Sequence, residues 1–219
     1  MTSQKFLFRG MMGLICVEIG LALAYLTLVV KQGGATPLLD FNGLRSLPSL
    51  LQAAHLFALG GLSLLLLFLR RRMTHPISWF LPSALVLLCF YGGLDEVTKL
   101  HLHLKQFDWH LIYLGILIGI PLIGWRDFIV LWRYHRSTVQ WVLAGLGIFL
   151  LGGFGTEIMK GAIASEVSTY SSSARLLFLT EHLRITVEEF AELCGETLIL
   201  YAFARFAHQT AITQSRVST

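Results

Sequence analysis

Charge is what this chain has least of. Only 14% of its 219 residues are Asp, Glu, Lys or Arg, while 55% are hydrophobic and the mean hydropathy is +0.67. A soluble domain normally carries about a quarter charged residues, so a water-covered globule is excluded. Cysteine is scarce: Cys16, Cys89 and Cys194 all fall in apolar stretches, with no C-x-x-C and no even set to pair. That excludes a disulfide framework and a zinc knuckle. Also missing are a P-loop, a dinucleotide fingerprint, an EF-hand loop and the G-x-S-x-G turn of a serine hydrolase. The formal charge of +4 does not point to nucleic acid, because the basic residues sit in short clusters between apolar runs. The partner that composition implies is the lipid bilayer, with a membrane-protein partner or a second copy of the chain as further candidates.

A helix crosses about 30 Å of hydrocarbon with roughly 20 apolar residues. Six stretches meet that length, at approximately 10–30, 50–69, 79–102, 109–131, 141–164 and 183–207. The expected fold is therefore all-α, a single transmembrane domain over 1–219 built as a bundle of six helices with short loops. The first stretch does not look like a cleavable signal peptide, since it carries Glu18 and is followed by no small-residue cleavage motif. Of the 17 Lys and Arg residues, ten fall on the side of the termini and seven on the other, and Arg70-Arg71-Arg72 is the densest run. The positive-inside rule then puts both termini in the cytoplasm, with a bacterial plasma membrane as the default. Trp79, Trp109, Trp125, Trp132 and Trp141 all lie near expected span ends, where indole rings favour the interface.

Smaller features have local meanings. Gly115 and Gly119 form a G-x-x-x-G, and Gly145, Gly147, Gly152, Gly153 and Gly155 thin the fifth stretch, both permitting close helix approach. Pro121 should kink the fourth helix, and Pro48 suits the first turn of the second. Segments 31–46 and 165–173, rich in Gly, Pro, Ser or Thr, are expected to be loops.

Of 13 acidic residues only Asp127 belongs clearly to a cytoplasmic loop. At 1.5 Å per residue, Asp95, Glu96, Glu157, Glu188 and Glu189 come out roughly 5 to 10 Å below the outer interface. His55 and Glu192 come out at about 10 Å, with Glu18 and Glu196 near mid-membrane. Glu188, Glu189, Glu192 and Glu196 share one broad helix face through i,i+3 and i,i+4 spacing. Charge at such depth is too costly to face lipid. The face must meet other helices, water, cations or basic side chains.

One consequence is a polar site between helices, with Asp95, Glu96, Glu157, Glu188, Glu192 and His55 as candidate ligands for a divalent metal ion. Carboxylates suit hard cations, and imidazole extends the choice to zinc, iron or manganese. Such a site would serve a membrane-embedded enzyme, while the same groups would equally relay protons or select a cation. The Glu-x-x-His repeat of bundle di-iron sites is absent, and haem lacks facing histidines. A non-catalytic subunit or assembly protein is the competing reading. Asp95 with Lys99, Glu157 with Lys160 and Arg184 with Glu188 all have pairing distances along a helix, and His101, His103, His110 and His182 would be interfacial and solvated.

Phe41-Asn42-Gly43, Ser46-Leu47-Pro48-Ser49, Gly93-Leu94-Asp95-Glu96 followed by His101, Gly155-Thr156-Glu157, and Val187-Glu188-Glu189 with Glu192 and Gly195 form a set of segments along the chain. Together they resemble a family of bacterial six-helix membrane proteins. The resemblance spans most of the chain. It implies the architecture above and adds His101 to the candidate metal ligands, but it implies no reaction. Two departures stand out: His101 is followed by Leu102 rather than Glu, and the loop acid expected near Leu44 is missing.

Overall fold

The computed structural model describes residues 2–73, 75–100, 109–170 and 173–217, with the side chain of Glu157 outside that description. Its described residues are helical and contain no strand. The order is α1 (Thr2–Gln32), α2 (Leu47–Leu69), a 3-10 turn at Arg70–Arg72, α3 (Phe80–Thr98), α4 (Trp109–Ile123) and α5 (Trp125–Tyr134). Then come α6 (Arg136–Ile148), a π-helical segment at Phe149–Phe154, α7 (Gly155–Ile158), α8 (Lys160–Tyr170) and α9 (Ala174–Val217).

Three helices are long and apolar enough to cross a membrane, Ser3–Gln32, Leu47–Leu69 and Phe80–Thr98. The pair Ile112–Ile123 and Trp125–Tyr134 counts as a fourth if taken as one span, although it bends by 67°. The other two expected stretches are helical but, among the described residues, do not count as helices long and apolar enough to cross. The fifth is interrupted by the π segment and again at Met159, so no single piece of it is long enough. The sixth lies inside the 44-residue α9, whose four carboxylates at 188–196 and Arg205 lower its apolarity.

Helix α9 is the centre of the structure, packing on α1, α2, α6 and the π segment, while α2 also lies along α3. Side chains buried near its start are Tyr25, Val29, Phe41, Ile185 and Leu193, and near its end Leu66, Phe206 and Ala207. Ser46 caps α2 by accepting from the Ser49 amide, with Pro48 in the first turn as its fixed φ requires. Loop 33–46 is held down from within, by Phe41 edge-on against Tyr25 and by a tight turn in which the Asn42 amide donates to Asp40. Gly43 is needed there, since a Cβ would stand 2.9 Å from Asp40 Cβ.

Several local expectations need correction. Segment 165–170 is helix, not loop, because Ser165 and Thr169 satisfy their hydroxyls on carbonyls of the preceding turn. A Cβ on Gly115 or Gly119 would meet nothing within 4 Å among the described residues, so no close helix approach is made there. The close approaches are made by Gly145, Gly152, Gly153 and Gly195 instead, where a Cβ would fall within 3 Å of α6, the π segment or α9. The bend in the fourth stretch falls at Gly124, three residues beyond Pro121, where the proline still sits within a helix. Asp127, expected in a loop, occupies the first turn of α5 and is buried, accepting from the Ser78 amide at 2.8 Å and the Ser78 hydroxyl at 2.5 Å.

Candidate functional site

The polar residues of the bundle form a column along α9. Its end nearest the start of α9 is a clamp: the buried Arg184 guanidinium donates through Nε and Nη2 to Glu181 at 3.1 and 3.0 Å, and through Nη1 to Glu188. Lys160 adds a longer contact to Glu181 at 3.8 Å. The Arg184 guanidinium holds the Glu181 carboxyl below the usual range. Beside the clamp, Tyr25 Oη and His182 Nδ1 hydrogen-bond at 2.6 Å, and Phe178 packs edge-on against the imidazole. His182 is thus a packing residue and not a solvated interfacial one.

The end of α3 supplies the next level. Lys99, in a left-handed conformation with φ 50° that stops the helix, turns back so that Nζ meets Glu96 at 2.7 Å. It also lies within Coulombic reach of Glu189 and Glu192. Ser49 donates to the Glu96 carbonyl at 2.9 Å and so fixes α2 to this end. Asp95, which the sequence pairs with Lys99, is buried and accepts instead from the Tyr113 hydroxyl at 2.8 Å.

Deeper, α2 presents a polar stripe. Ser49, Gln52 and His55 are three residues apart in sequence, which places them on one face, and all three are buried. The Gln52 amide donates to Glu192 at 2.9 Å. His55 Nδ1 stands 3.6 Å from Glu196 Oε2, with both side chains at most 4% exposed. Neither His55 nitrogen and not Glu196 Oε2 has a hydrogen-bond partner among the described residues. At the next residue, Thr197 donates to Glu18 on α1 at 2.5 Å, and Glu18 is fully buried. The other Glu18 oxygen is again without a partner among the described residues.

Glycine makes this convergence possible. A Cβ on Gly153 would lie 2.7 Å from Glu192 Oε1, and one on Gly152 would overlap Ala191, so the π segment brings bare backbone against the carboxylate face of α9. Single π turns recur where a helix must make room for function.

From Glu189 to Thr197 the column runs about 12 Å along α9. Beyond Glu18 two apolar groups pack, Met11, Leu198 and Tyr201 in one and Leu66, Phe206 and Ala207 in the next. Polar groups lie beside them: Ser63 on α2 is fully buried with its hydroxyl unpartnered among the described residues, and His135 stands edge-on to Phe206.

The sequence-derived ligand set is therefore distributed and not concentrated. Glu192, Glu188, Glu96 and His55 line one column at different heights, Asp95 turns to Tyr113, and His101 and the Glu157 side chain lie outside the described residues. Among the described residues no three His, Cys, Asp or Glu side chains come together so as to hold a metal ion. Gln52 and Thr197 escape a search for ionisable groups, although three polar residues at i, i+3 and i+6 on an apolar helix are a readable sign of a buried polar face.

The model of a family described as a domain of unknown function, DUF8692, matches residues 12–206, which include every member of the column. No curated protein and no solved structure matches the chain.

Proposed function

Since the chain belongs to the DUF8692 family, a domain of unknown function, we propose from its own side chains that it is a membrane-embedded proton or cation pathway working at His55 and Glu196. The observation that carries this is their contact: an imidazole and a carboxyl 3.6 Å apart, buried, with no other hydrogen-bond partner for either facing atom among the described residues. A lone buried charge is expensive and a buried polar atom without a partner costs about 1–3 kcal/mol. A proton that moves between the two, forming an imidazolium–carboxylate pair in one state and two neutral groups in the other, makes use of an arrangement that packing alone would disfavour.

The frame for this reading is six crossings, made by α1, α2, α3, α4 with α5, the interrupted α6 to α8, and α9. Both termini lie in the cytoplasm of a bacterial plasma membrane, and the clamp faces outward. The proton or cation enters past Glu96, Lys99 and Glu189, is steadied by Glu192 and Gln52, and is held at Glu196, His55 and Glu18. The apolar groups around Leu198 and Phe206 support a site closed on that side. The divalent-metal reading rests on the sequence-derived set Asp95, Glu96, Glu157, Glu188, Glu192, His55 and His101, although among the described residues no three of these come together.

The test is proton flux into liposomes holding the full-length protein and an entrapped pH dye, under an imposed potential. We expect flux above that of empty liposomes, reduced at least tenfold in Glu196→Gln and in His55→Gln, and unchanged by chelators. Flux equal to empty liposomes, or undiminished in Glu196→Gln, overturns the proposal. Flux lost on chelation and restored by a divalent metal moves the site to the metal reading.

A second reading has its own support. Arg184 with Glu181 and Glu188, Lys99 with Glu96, and Tyr113 with Asp95 are all satisfied pairs, as a non-catalytic subunit held together by buried charge would require. These outer acids serve the architecture in either case, which leaves His55, Glu196 and Glu18 to decide between the two.

A further inference from the structure

At the opposite end from the clamp, α1 and α9 flank a shallow open depression of about 300 Å³ lined by Gln4, Lys5, Phe8, Arg9, Tyr201 and Arg205. Three of the six are cations. Among the described residues none of Lys5, Arg9 and Arg205 pairs with a carboxylate; Arg205 donates only to the Ser137 hydroxyl at 3.0 Å, and its enclosed Nε makes no hydrogen bond. Lys5 and Arg9 are one turn apart on the same face of α1, and like charges at that spacing repel unless an anion lies between them.

Depth and floor identify the anion. Helix α1 has 31 residues, about 46 Å of rise, and only about 30 Å of that fits in hydrocarbon, so its first turns stand at headgroup level. The floor is aromatic: Phe8 meets the Tyr201 ring edge-on at 6.2 Å, and Trp141 meets its other side at 5.3 Å. Below it, Phe8 and, one turn further, Met12 are each 44% exposed on the outside of α1, a track for hydrocarbon leading down from the cations. Arginine presents paired N–H groups that match phosphate oxygens, and basic pockets between membrane helices accept anionic headgroups.

We propose that this depression binds the phosphate group of an anionic phospholipid, with Arg205 and Arg9 on the phosphate oxygens, Lys5 adding charge, and the first acyl carbons against Phe8. The site stands apart from the column and does not depend on its function.

The test is binding of phosphatidylglycerol to delipidated full-length protein, followed by native mass spectrometry, beside phosphatidylcholine of the same acyl chains and inorganic phosphate. The expected result is one saturable phosphatidylglycerol, little phosphatidylcholine, and no displacement by millimolar phosphate. Binding should weaken about fivefold in each of the exposed variants Lys5→Gln and Arg9→Gln and about 25-fold in the pair, while Arg71→Gln leaves it unchanged. Equal uptake of the two lipids, or equal loss in Arg71→Gln, overturns the site. Displacement by inorganic phosphate overturns the lipid and assigns the depression to a free phosphate. Arg205→Lys, which keeps charge but not the paired donors, should weaken binding without altering elution on gel filtration.

Discussion

Replacing Gly195 by alanine should be far more damaging than its size suggests. The added Cβ would stand 2.6 Å from the Gly145 carbonyl oxygen, 2.9 Å from Phe149 Cβ and 3.0 Å from the Phe149 amide nitrogen. Ordinary contacts begin near 3.4 Å, and two of these three atoms are backbone, which cannot swing aside. Helix α9 must therefore move away from α6 by most of an ångström. Overpacking of this kind costs about 1–3 kcal/mol, and carbonyl contacts place it at the upper end. Alanine returns up to about 1 kcal/mol of helix propensity, leaving a net loss of about 2 kcal/mol, or roughly a thirtyfold rise in the unfolding constant. Gly115→Ala and Gly119→Ala meet nothing within 4 Å and should be neutral or slightly stabilising. The assay is denaturant unfolding in detergent micelles, followed by tryptophan fluorescence. If Gly195→Ala is neutral while either G-x-x-x-G variant is destabilised, the glycine-mediated packing of α6 on α9 is wrong.

Two further predictions concern the ends of the bundle. Asp127→Asn keeps the shape of the carboxylate but weakens acceptance from the Ser78 amide and hydroxyl, so it should cost about 1–3 kcal/mol and speed proteolysis within 73–79, whereas Asp40→Asn should not affect cleavage there. The Glu181 carboxyl is held low by Arg184, so its contribution is present above the ordinary glutamate range and is lost as pH falls through the depressed value. The difference in Tm between wild type and Glu181→Gln should then shrink toward zero between pH 7 and pH 3. A difference that grows on acidification would reverse the assigned sign.

Apolar length made the membrane class legible, and it located α1, α2 and α3 closely, because lipid demands long runs of a single character. It was less informative for the rest. The π segment depends on how Gly152 and Gly153 seat against Ala191 and Glu192, a tertiary fact with no local signature. Burial of acids on α9 was legible from helical spacing, but partner choice was not. Asp95 takes Tyr113 and leaves Lys99 to Glu96 because Lys99 adopts a left-handed turn, and spacing along an ideal helix cannot anticipate that. The loop expected at Asp127 is instead the first turn of α5, and only the fold reveals Ser78 as its partner.

The two helices that meet across the column differ in stiffness. Helix α9 is continuous through 44 residues, about 66 Å, with the Arg184 clamp near one end and Arg205 near the other. Its partner is cut at 149–154 and again at Met159. Arg184 and Arg205 thus sit on one unbroken helix, whereas the stretch packed against its carboxylate face is divided into shorter pieces, so the polar column is assembled between a continuous element and a segmented one.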